Sequence, residues 1–440
     1  MRFFFAMNIS DLYKLFIAHP VICTDTRKLS PGAIYFALRG EHFNGNCFAS
    51  DALKKGCSYV IIDDPAYSVK NDSRMIMVED ALKTLQNLAY YHRQTLNIRI
   101  IAVTGTNGKT TTKELLAAVL SVKYKTCFTQ GNLNNHIGVP LTLLAMNCEH
   151  EIGIIEMGAN HIGEIETLCR IAAPDAGLIT NIGKAHIEGF GSFNGVIQAK
   201  TELYRYLKDN NGTVFYYSGD PLLAQIIGQT GIKGISYGKN ITDFCKGESA
   251  GADPLLKLSL INETGQPVFV NTRLFGEYNF SNVMAAVCTG KYFGITSEQA
   301  RKAIEQYYPS NNRSQIQKTD RNTLILDLYN ANPSSMEVAL KSFLAWEIPG
   351  RMVILGEMLE LGDVSRLEHQ KIVDFVQQHS IPAWLVGKNF GGLVADSLTV
   401  LHFADTAQLA AWIKDHPVKD MNILIKGSRG NKLEQVADLL

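Results

Sequence analysis

Charge of either sign is missing in excess: 42 basic and 42 acidic residues cancel over 440 positions. A chain without a basic surplus has no electrostatic pull toward nucleic acid, and without a run of like charges it has no polybasic attachment to a membrane surface. No apolar run approaches the ~20 residues that cross a bilayer. The apolar start from Met1 to Ala6 is brief, and Asn8, Asp11 and Lys14 interrupt it before a signal-peptide core forms, so that Met7 is an alternative start. None of the eight cysteines (Cys23, Cys47, Cys57, Cys127, Cys148, Cys169, Cys245, Cys288) forms a Cys-x-x-Cys pair, which excludes a zinc ribbon or a redox motif. Scattered over a large chain, they read as reduced, buried thiols of a cytoplasmic protein. Internal repeats and low-complexity segments are absent as well.

What is present is apolar material in short, regular pieces. Hydrophobic residues make up 46% of the chain and charged residues 19%, enough for several buried cores, and the length predicts two or three domains. Ile98 and Ile100–Val103 read as a buried strand, while Leu115, Leu116, Val119 and Leu120 fall at helical spacing. Between them lies Thr104-Gly105-Thr106-Asn107-Gly108-Lys109-Thr110-Thr111-Thr112. A glycine-bearing turn that joins a strand to a helix N-terminus curls backbone N–H groups around an anion, and the helix end adds partial positive charge. Lys109 is placed to reach the β- and γ-phosphates of a nucleotide, and the Thr110 hydroxyl to ligate Mg²⁺. The loop is a shortened one: where the general phosphate loop has its first glycine, this chain has Val103.

Residues 1–97 read as a first unit, with strand-like runs Ala33–Leu38 and Tyr59–Ile62, a helix-like Phe48–Lys55, a polar loop Arg39–Gly45 and a helix over 80–95. In it, Thr24-Asp25-Thr26-Arg27 sets an arginine among small hydroxyl residues, which suits a diphosphate and equally a solvated turn. Residues 98–311 read as the nucleotide unit. Gly131–Pro140 is too polar for core and is expected as a loop at the site. Ile152–Glu156 is a strand that ends on a carboxylate, and in an open parallel sheet ligands sit beyond the carboxyl ends of strands, so Glu156 is a candidate Mg²⁺ ligand. The strand Ala176–Asn181 brings His186 out on the same edge, as a ligand of metal or phosphate or as a structural histidine.

One helix is expected over Phe193–Lys208, with Val196, Ile197, Leu203, Tyr204 and Leu207 on its apolar face. Lys200 falls inside that face. A desolvated lysine has a lowered pKa, and its neutral amine can take up CO₂ as a carbamate, turning a cation into an anion able to orient Mg²⁺. The competing reading is a lysine that snorkels past the core rim. Leu255–Leu260 and Pro267–Leu274 form a hairpin, and the amides of Asn279 and Asn282 lead into a helix, either as caps or as readers of an adenine edge. After a break at Tyr307–Ser314, residues 312–440 alternate strand and helix as a small doubly wound α/β unit, with polar clusters at the strand ends 327–333, 356–362 and 426–430.

Assembled, these residues resemble the Mur ligase family, the ATP-dependent ligases of peptidoglycan synthesis, over nearly the whole chain. Gly105–Thr111 matches the family's shortened phosphate loop. Gly138-Val139-Pro140-Leu141-Thr142-Leu143-Leu144, Tyr329-Asn330-Ala331-Asn332-Pro333-Ser334-Ser335-Met336, Leu355–Gly362 and Lys426-Gly427-Ser428-Arg429-Gly430 are most similar to the branch that adds D-alanyl-D-alanine to UDP-N-acetylmuramoyl-tripeptide. The resemblance implies an α/β fold of three domains: a UDP-muramyl-peptide-binding domain (1–97), a central P-loop ATPase domain with a mostly parallel sheet (98–311), and a C-terminal Rossmann-like domain that closes with the amino substrate (312–440).

By position it implies ATP contacts at Gly105, Thr106, Asn107, Gly108, Lys109, Thr110, Thr111, Asn282, Arg313 and Asp327. A Mg²⁺ site is implied at Thr110, Glu156, His186 and Lys200 as a carbamate. Lys109, Lys200, His186, Glu156 and Arg313 would carry the chemistry. Thr24, Asp25, Thr26 and Arg27 would hold the UDP part, and Asn330, Asn332 and Ser335 the amino substrate. The implied protein is a cytoplasmic, monomeric enzyme that takes its two substrates, ATP and Mg²⁺, and no nucleic acid. Two departures stand out: the family commonly has His-Asn where this chain has Tyr278-Asn279, and Gly-Arg where it has Asn312-Arg313.

Three rivals stand beside this reading. The 97-residue leading unit disfavours a folylpolyglutamate synthase, and the Tyr329–Met336 stretch disfavours ligases that add a single amino acid. A nucleotide-gated binding protein without chemistry would lack Lys109, Glu156, Lys200 and Arg313, all of which are present.

Overall fold

Runs of β-branched and aliphatic residues bounded by turn residues build three sheets, and the amphipathic segments between them supply the covering helices. The computed structural model describes residues 7–69, 72–309, 313–394 and 398–440. The first sheet is parallel, in the order Ile22–Cys23, Ile34–Phe36, Tyr59–Ile62, Met75–Met77. The central sheet has nine strands. From one edge they are Pro267–Phe275, Leu255–Ile261, Cys245–Ala252, Gly234–Gly238, Thr213–Tyr217, Ala176–Ile179, Arg99–Thr104, Ile152–Glu156 and Thr126–Phe128. All its pairings are parallel except the two among its first three strands. The third sheet runs Gln315–Lys318, Thr323–Asp327, Asn422–Lys426, Arg351–Gly356, Ala383–Val386, Val400–Phe403, parallel but for its first pair.

The strand Arg99–Thr104 shows why its sequence is continuously apolar. Ile100 and Ala102 pack on one side with Leu88, Val139 and Leu168, and Ile101 and Val103 pack on the other with Leu116, Val283 and Val287. A parallel strand covered on both faces has no side for a polar residue. The third sheet repeats the arrangement, with Val353 and Leu355 on one face and Met352 and Ile354 on the other. The helix Ala81–Thr95 ties the first sheet to the central one: His92 Nε2 pairs with Met146 O (2.9 Å), and Arg93 reaches Asp175 (2.9 Å).

Several local expectations are corrected. Arg39–Gly45 is no simple loop: Arg39–Gly40 and Phe43–Asn44 pair as a short antiparallel ribbon, and Asn46 ties its base to Asp63 (2.8 Å). Within Gly131–Pro140 only the first seven residues are loop, because Gly138–Leu144 is already helix, with Asn135 Oδ1 accepting from Gly138 N (2.9 Å). Phe193–Lys208 is not one helix. Phe193–Lys200 and Glu202–Asp209 are divided at Thr201, whose hydroxyl donates back to Ile197 O (2.8 Å) and Gln198 O (3.1 Å). That competition with the backbone ends the first helix on Lys200.

Of the eight free cysteines, Cys47 and Cys148 are exposed and Cys127 is half-buried, so the expected burial holds for the other five. The residues before Met7 and the departure at Asn312 lie outside the described residues. No described helix is long and apolar enough to cross a membrane.

Candidate functional site

The carboxyl ends of the central and third sheets open on one cleft of about 1120 Å³. Every site residue named from the sequence lies on its wall except Thr24–Arg27, which follow the strand Ile22–Cys23 of the first sheet. There Arg27 is exposed and chelates Asp25 (2.8 Å), and this pairing holds the Asp25 carboxyl down to about 2.

The phosphate loop links Arg99–Thr104 to the helix Lys109–Leu120. Gly105 (φ +143°) and Gly108 (φ +78°) occupy backbone conformations that side chains rarely adopt. A Cβ on Gly105 would stand 2.0 Å from Thr180 Oγ1, and one on Gly108 2.6 Å from Asn282 Oδ1. Asn107 is fixed from two strand ends: its carbonyl accepts from Thr180 Oγ1 (2.6 Å) and Asn181 Nδ2 (3.0 Å). Lys109 Nζ donates to Gly105 O (2.8 Å) and Thr106 O (2.9 Å), so in this conformation the lysine closes its own loop. Burial holds its pKa below the usual range, against the pull of Glu156.

Glu156 is 2% exposed. Its two carboxylate oxygens accept from Thr110 Oγ1 and Asn134 Nδ2, both at 2.8 Å, and among the described residues it forms no ion pair. A buried carboxylate bonded only by neutral donors, with Lys109 and Lys113 near but not in contact, leaves charge for a further cation to balance. Two oxygen donors on one edge beside a phosphate loop are the set a hard cation takes, with substrate phosphates completing its shell.

His186 sits in the left-handed backbone region (φ 51°), and its Nδ1 meets a Glu360 carboxylate oxygen from the third-sheet domain. Burial keeps the imidazole below its usual range even with that carboxylate beside it. Lys200 is 3% exposed, its Nζ 5.4 Å from the centre of the Phe190 ring, and it has no hydrogen-bond partner among the described residues. Burial, helped by the Lys109 ammonium, brings its pKa down to about 7.

Across the cleft, Asn332 Nδ2 donates to Asn107 Oδ1 (2.8 Å), and Lys184 N donates to Ser334 Oγ (3.2 Å). Asn332 and Ser335 form a reciprocal capping box at the start of the helix Pro333–Ala345. Their polar groups therefore fix that helix, while Asn330 and Ser334 line the cleft beside it. Asp327 is paired with the buried Lys426 (2.6 Å), its register partner on the neighbouring strand.

Asn282 corrects the capping expectation. It lies inside the helix Phe280–Tyr292, where its amide donates to Asn279 Oδ1 (2.9 Å) and accepts from Thr112 Oγ1 (3.1 Å). Arg313 Cζ stacks 3.5 Å from the centre of the Tyr329 ring, and its buried Nε has no hydrogen-bond partner.

Three family models match this chain: "Mur ligase family, catalytic domain" over residues 20–93, "Mur ligase middle domain" over 103–290, and "Mur ligase, glutamate ligase domain" over 312–429. The UDP-N-acetylmuramoyl-tripeptide–D-alanyl-D-alanine ligase of Bacillus subtilis (strain 168) is 35% identical to it, over 98% of this chain and 96% of the relative. The chain belongs to the Mur ligase family. The ligase of the same name from Escherichia coli (strain K12) is 34% identical over 95% of this chain and 93% of its own. A crystal structure of MurF from Acinetobacter baumannii superposes with a TM-score of 0.85 at 31% identity, covering 95% of this chain and 92% of that one.

Some of this Mur ligase's site residues escaped sequence reasoning. Asn134 and Glu360 sat inside motifs that were noticed, but nothing local said which partner each would meet. Tyr278, the departure from the family's histidine, bridges domains: its hydroxyl lies 2.8 Å from Ser314 Oγ. Ser314 has a positive φ (49°), so a left-handed turn falls at the domain junction on a serine. Tyr278→Phe removes that bond and leaves the Ser314 hydroxyl unpaired. The expected cost is about 1 kcal/mol of stability, read as a lower urea midpoint at unchanged m-value. An unchanged midpoint would show that the bond contributes nothing at the junction.

Proposed function

We propose that this Mur ligase joins D-alanyl-D-alanine to UDP-N-acetylmuramoyl-tripeptide at the expense of ATP, in the cytoplasm, as the step that completes the peptide of a peptidoglycan precursor. One observation carries the reading: the phosphate loop and the Tyr329–Met336 stretch meet in one cleft, through the Asn107–Asn332 hydrogen bond. The substrates are those in the names of relatives that span nearly the whole chain.

In this mechanism the tripeptide's terminal carboxylate takes the γ-phosphoryl group, giving ADP and an acyl phosphate. The dipeptide amine attacks the acyl carbon, and phosphate leaves. The chain's own residues position and neutralise rather than bond covalently. Lys109 turns from its loop carbonyls to the phosphates, and Arg313 reaches them from the other domain. Asn282 and Asp327 face the nucleoside. Thr110, Glu156, His186 and a carbamylated Lys200 would hold Mg²⁺, which when bound would supply charge neutralisation on the phosphoryl group. Arg27 leaves Asp25 to meet the diphosphate of the UDP substrate.

The test is phosphate release from ATP with Mg²⁺ and UDP-muramyl tripeptide, with and without D-alanyl-D-alanine. Turnover is expected only when all components are present. Release driven equally by a single amino acid would move the protein to another branch of the family, and no release with any acceptor would sink the reading.

A further inference from the structure

Beside the main cleft lies a second, smaller cavity of about 290 Å³, at the lower end of the size of ligand sites. Its wall includes Thr110 and Asn132 of the central domain and Arg313, Tyr329, Arg429 and Glu434 on the other side. Thr110, Arg313 and Tyr329 line both cavities, so the small one opens directly beside the phosphate loop.

Arg429 belongs to the Lys426–Gly430 stretch, and nothing described above uses it. It stands on the short turn Arg429–Asn431 that follows the strand Asn422–Lys426. Ser428 anchors that turn by accepting from Leu359 N (3.2 Å). Among the described residues the Arg429 guanidinium makes no hydrogen bond and no ion pair, and its Cζ lies 6.0 Å from the centre of the Tyr329 ring. Arg313 stacks on the same ring at 3.5 Å with its buried Nε lacking an acceptor. The one carboxylate on the wall, Glu434, is exposed and forms no ion pair with a described residue, so the two arginines leave the cavity with an excess of positive charge.

Two unpaired guanidinium groups around one ring fit a planar oxyanion, which accepts paired N–H donors from each. The nucleotide phosphates and the tripeptide carboxylate that meets them belong to the phosphate loop, which leaves two oxyanions of the reaction: the C-terminal carboxylate of the amino substrate and the departing phosphate. We propose that this cavity is the subsite for the C-terminal carboxylate of the dipeptide, held by Arg429, with Arg313 standing between it and the nucleotide phosphates. The proposal rests on the ligase reading above. A phosphate already has the glycine loop and Lys109, whereas no cation has yet been set against the far end of the dipeptide. Two residues reach at most about 7 Å, so a carboxylate bound here keeps its amine at the edge of the main cleft, next to Thr110.

The experiment compares D-alanyl-D-alanine with D-alanyl-D-alaninamide in the wild-type enzyme, Arg429→Ala and Arg429→Lys. In the wild type the amide is expected to raise the acceptor KM about 10- to 100-fold, the range for a hydrogen bond to a charged group. Arg429→Ala should raise the KM for the dipeptide by a similar factor, leave that for ATP within about twofold, and show almost no further penalty for the amide. Arg429→Lys, which keeps the charge but loses the fork, should fall between them. An amide penalty that survives intact in Arg429→Ala overturns the proposal, as does an equal rise in the KM for ATP, which marks a structural role. If inhibition by inorganic phosphate weakens in Arg429→Ala while the amide penalty stays, the subsite belongs to phosphate and the carboxylate assignment is wrong. A wild-type enzyme without dipeptide-dependent turnover defeats the ligase reading itself, and this inference with it.

Discussion

Lys200→Ala is expected to lower kcat by about 100- to 1,000-fold, the scale for losing one group that organises charge at a phosphoryl-transfer site, and added acetate is expected to restore part of it. The reasons lie in the surroundings of Lys200. It closes the helix Phe193–Lys200 with its ammonium buried, near Lys109 and without a hydrogen-bond acceptor among the described residues. The Phe190 ring at 5.4 Å and the carboxylates of Glu164 and Glu202 offset that burial only in part. A carbamate there would be an anion on the wall that also holds Glu156 and Thr110, and in the variant a short-chain acid could occupy the space the lysine side chain vacates.

The pH dependence follows from the lowered pKa. Above about 7 the amine is neutral and can take up CO₂, and below it the ammonium cannot. A ¹³C carbamate signal from labelled bicarbonate should therefore grow as pH rises through 7. Stability carries a matching sign. The folded pKa lies below the usual 10.5, so between about 7 and 10.5 the unfolded chain binds the extra proton and the wild type gains stability as pH rises. Lys200→Ala should lack that gain while remaining folded. Full activity in the variant without added acid would defeat the carbamate role.

How far the sequence was legible depended on whether a feature is local. Strands buried on both faces, such as Ile100–Val103 and Ile152–Ile155, announce themselves as unbroken apolar runs. Strands without such a run do not: the edge strand Gln315–Lys318 is polar and half-exposed, and the interior strand Cys245–Ala252 is largely small and polar along its length, so neither announces itself in the sequence. The split at Thr201 was hidden because apolar spacing continues across it, and the threonine's bond to its own preceding turn leaves no mark in periodicity. In the site, the loop from Gly105 to Thr111 and the carboxylate ending a strand could be read from order along the chain. Pairings between domains could not. Asn107 with Asn332, His186 with Glu360 and Tyr278 with Ser314 join residues that only the meeting of two sheet edges brings together. Ser335 shows the converse: a residue in a functional stretch whose hydroxyl turns out to cap a helix.

Arg313→Ala should reduce kcat by about 100- to 1,000-fold and raise the KM for ATP as well. Arg313 follows the domain junction and is held over the cleft by its stack on Tyr329, with the buried Nε unsatisfied. It stands close enough to Lys109 for the two cations to repel and help lower the Lys109 pKa. Cations gathered in advance of any anion are a pre-organised field, and their mutual repulsion is relieved only when a polyanion arrives. Removing Arg313 should therefore weaken ATP binding, because on the proposed ligase reading this side chain brings charge from the third-sheet domain to the phosphates. Arg313→Lys should recover little, since an ammonium keeps the charge but neither stacks flat on tyrosine nor offers a fork. Tyr329→Phe keeps the ring face and should stay near wild type. Thermal denaturation gives an independent check: ATP with Mg²⁺ should raise the Tm of the wild type by more than that of Arg313→Ala. Equal shifts with unchanged kcat and KM would remove Arg313 from the site and leave it a residue that merely packs at the junction.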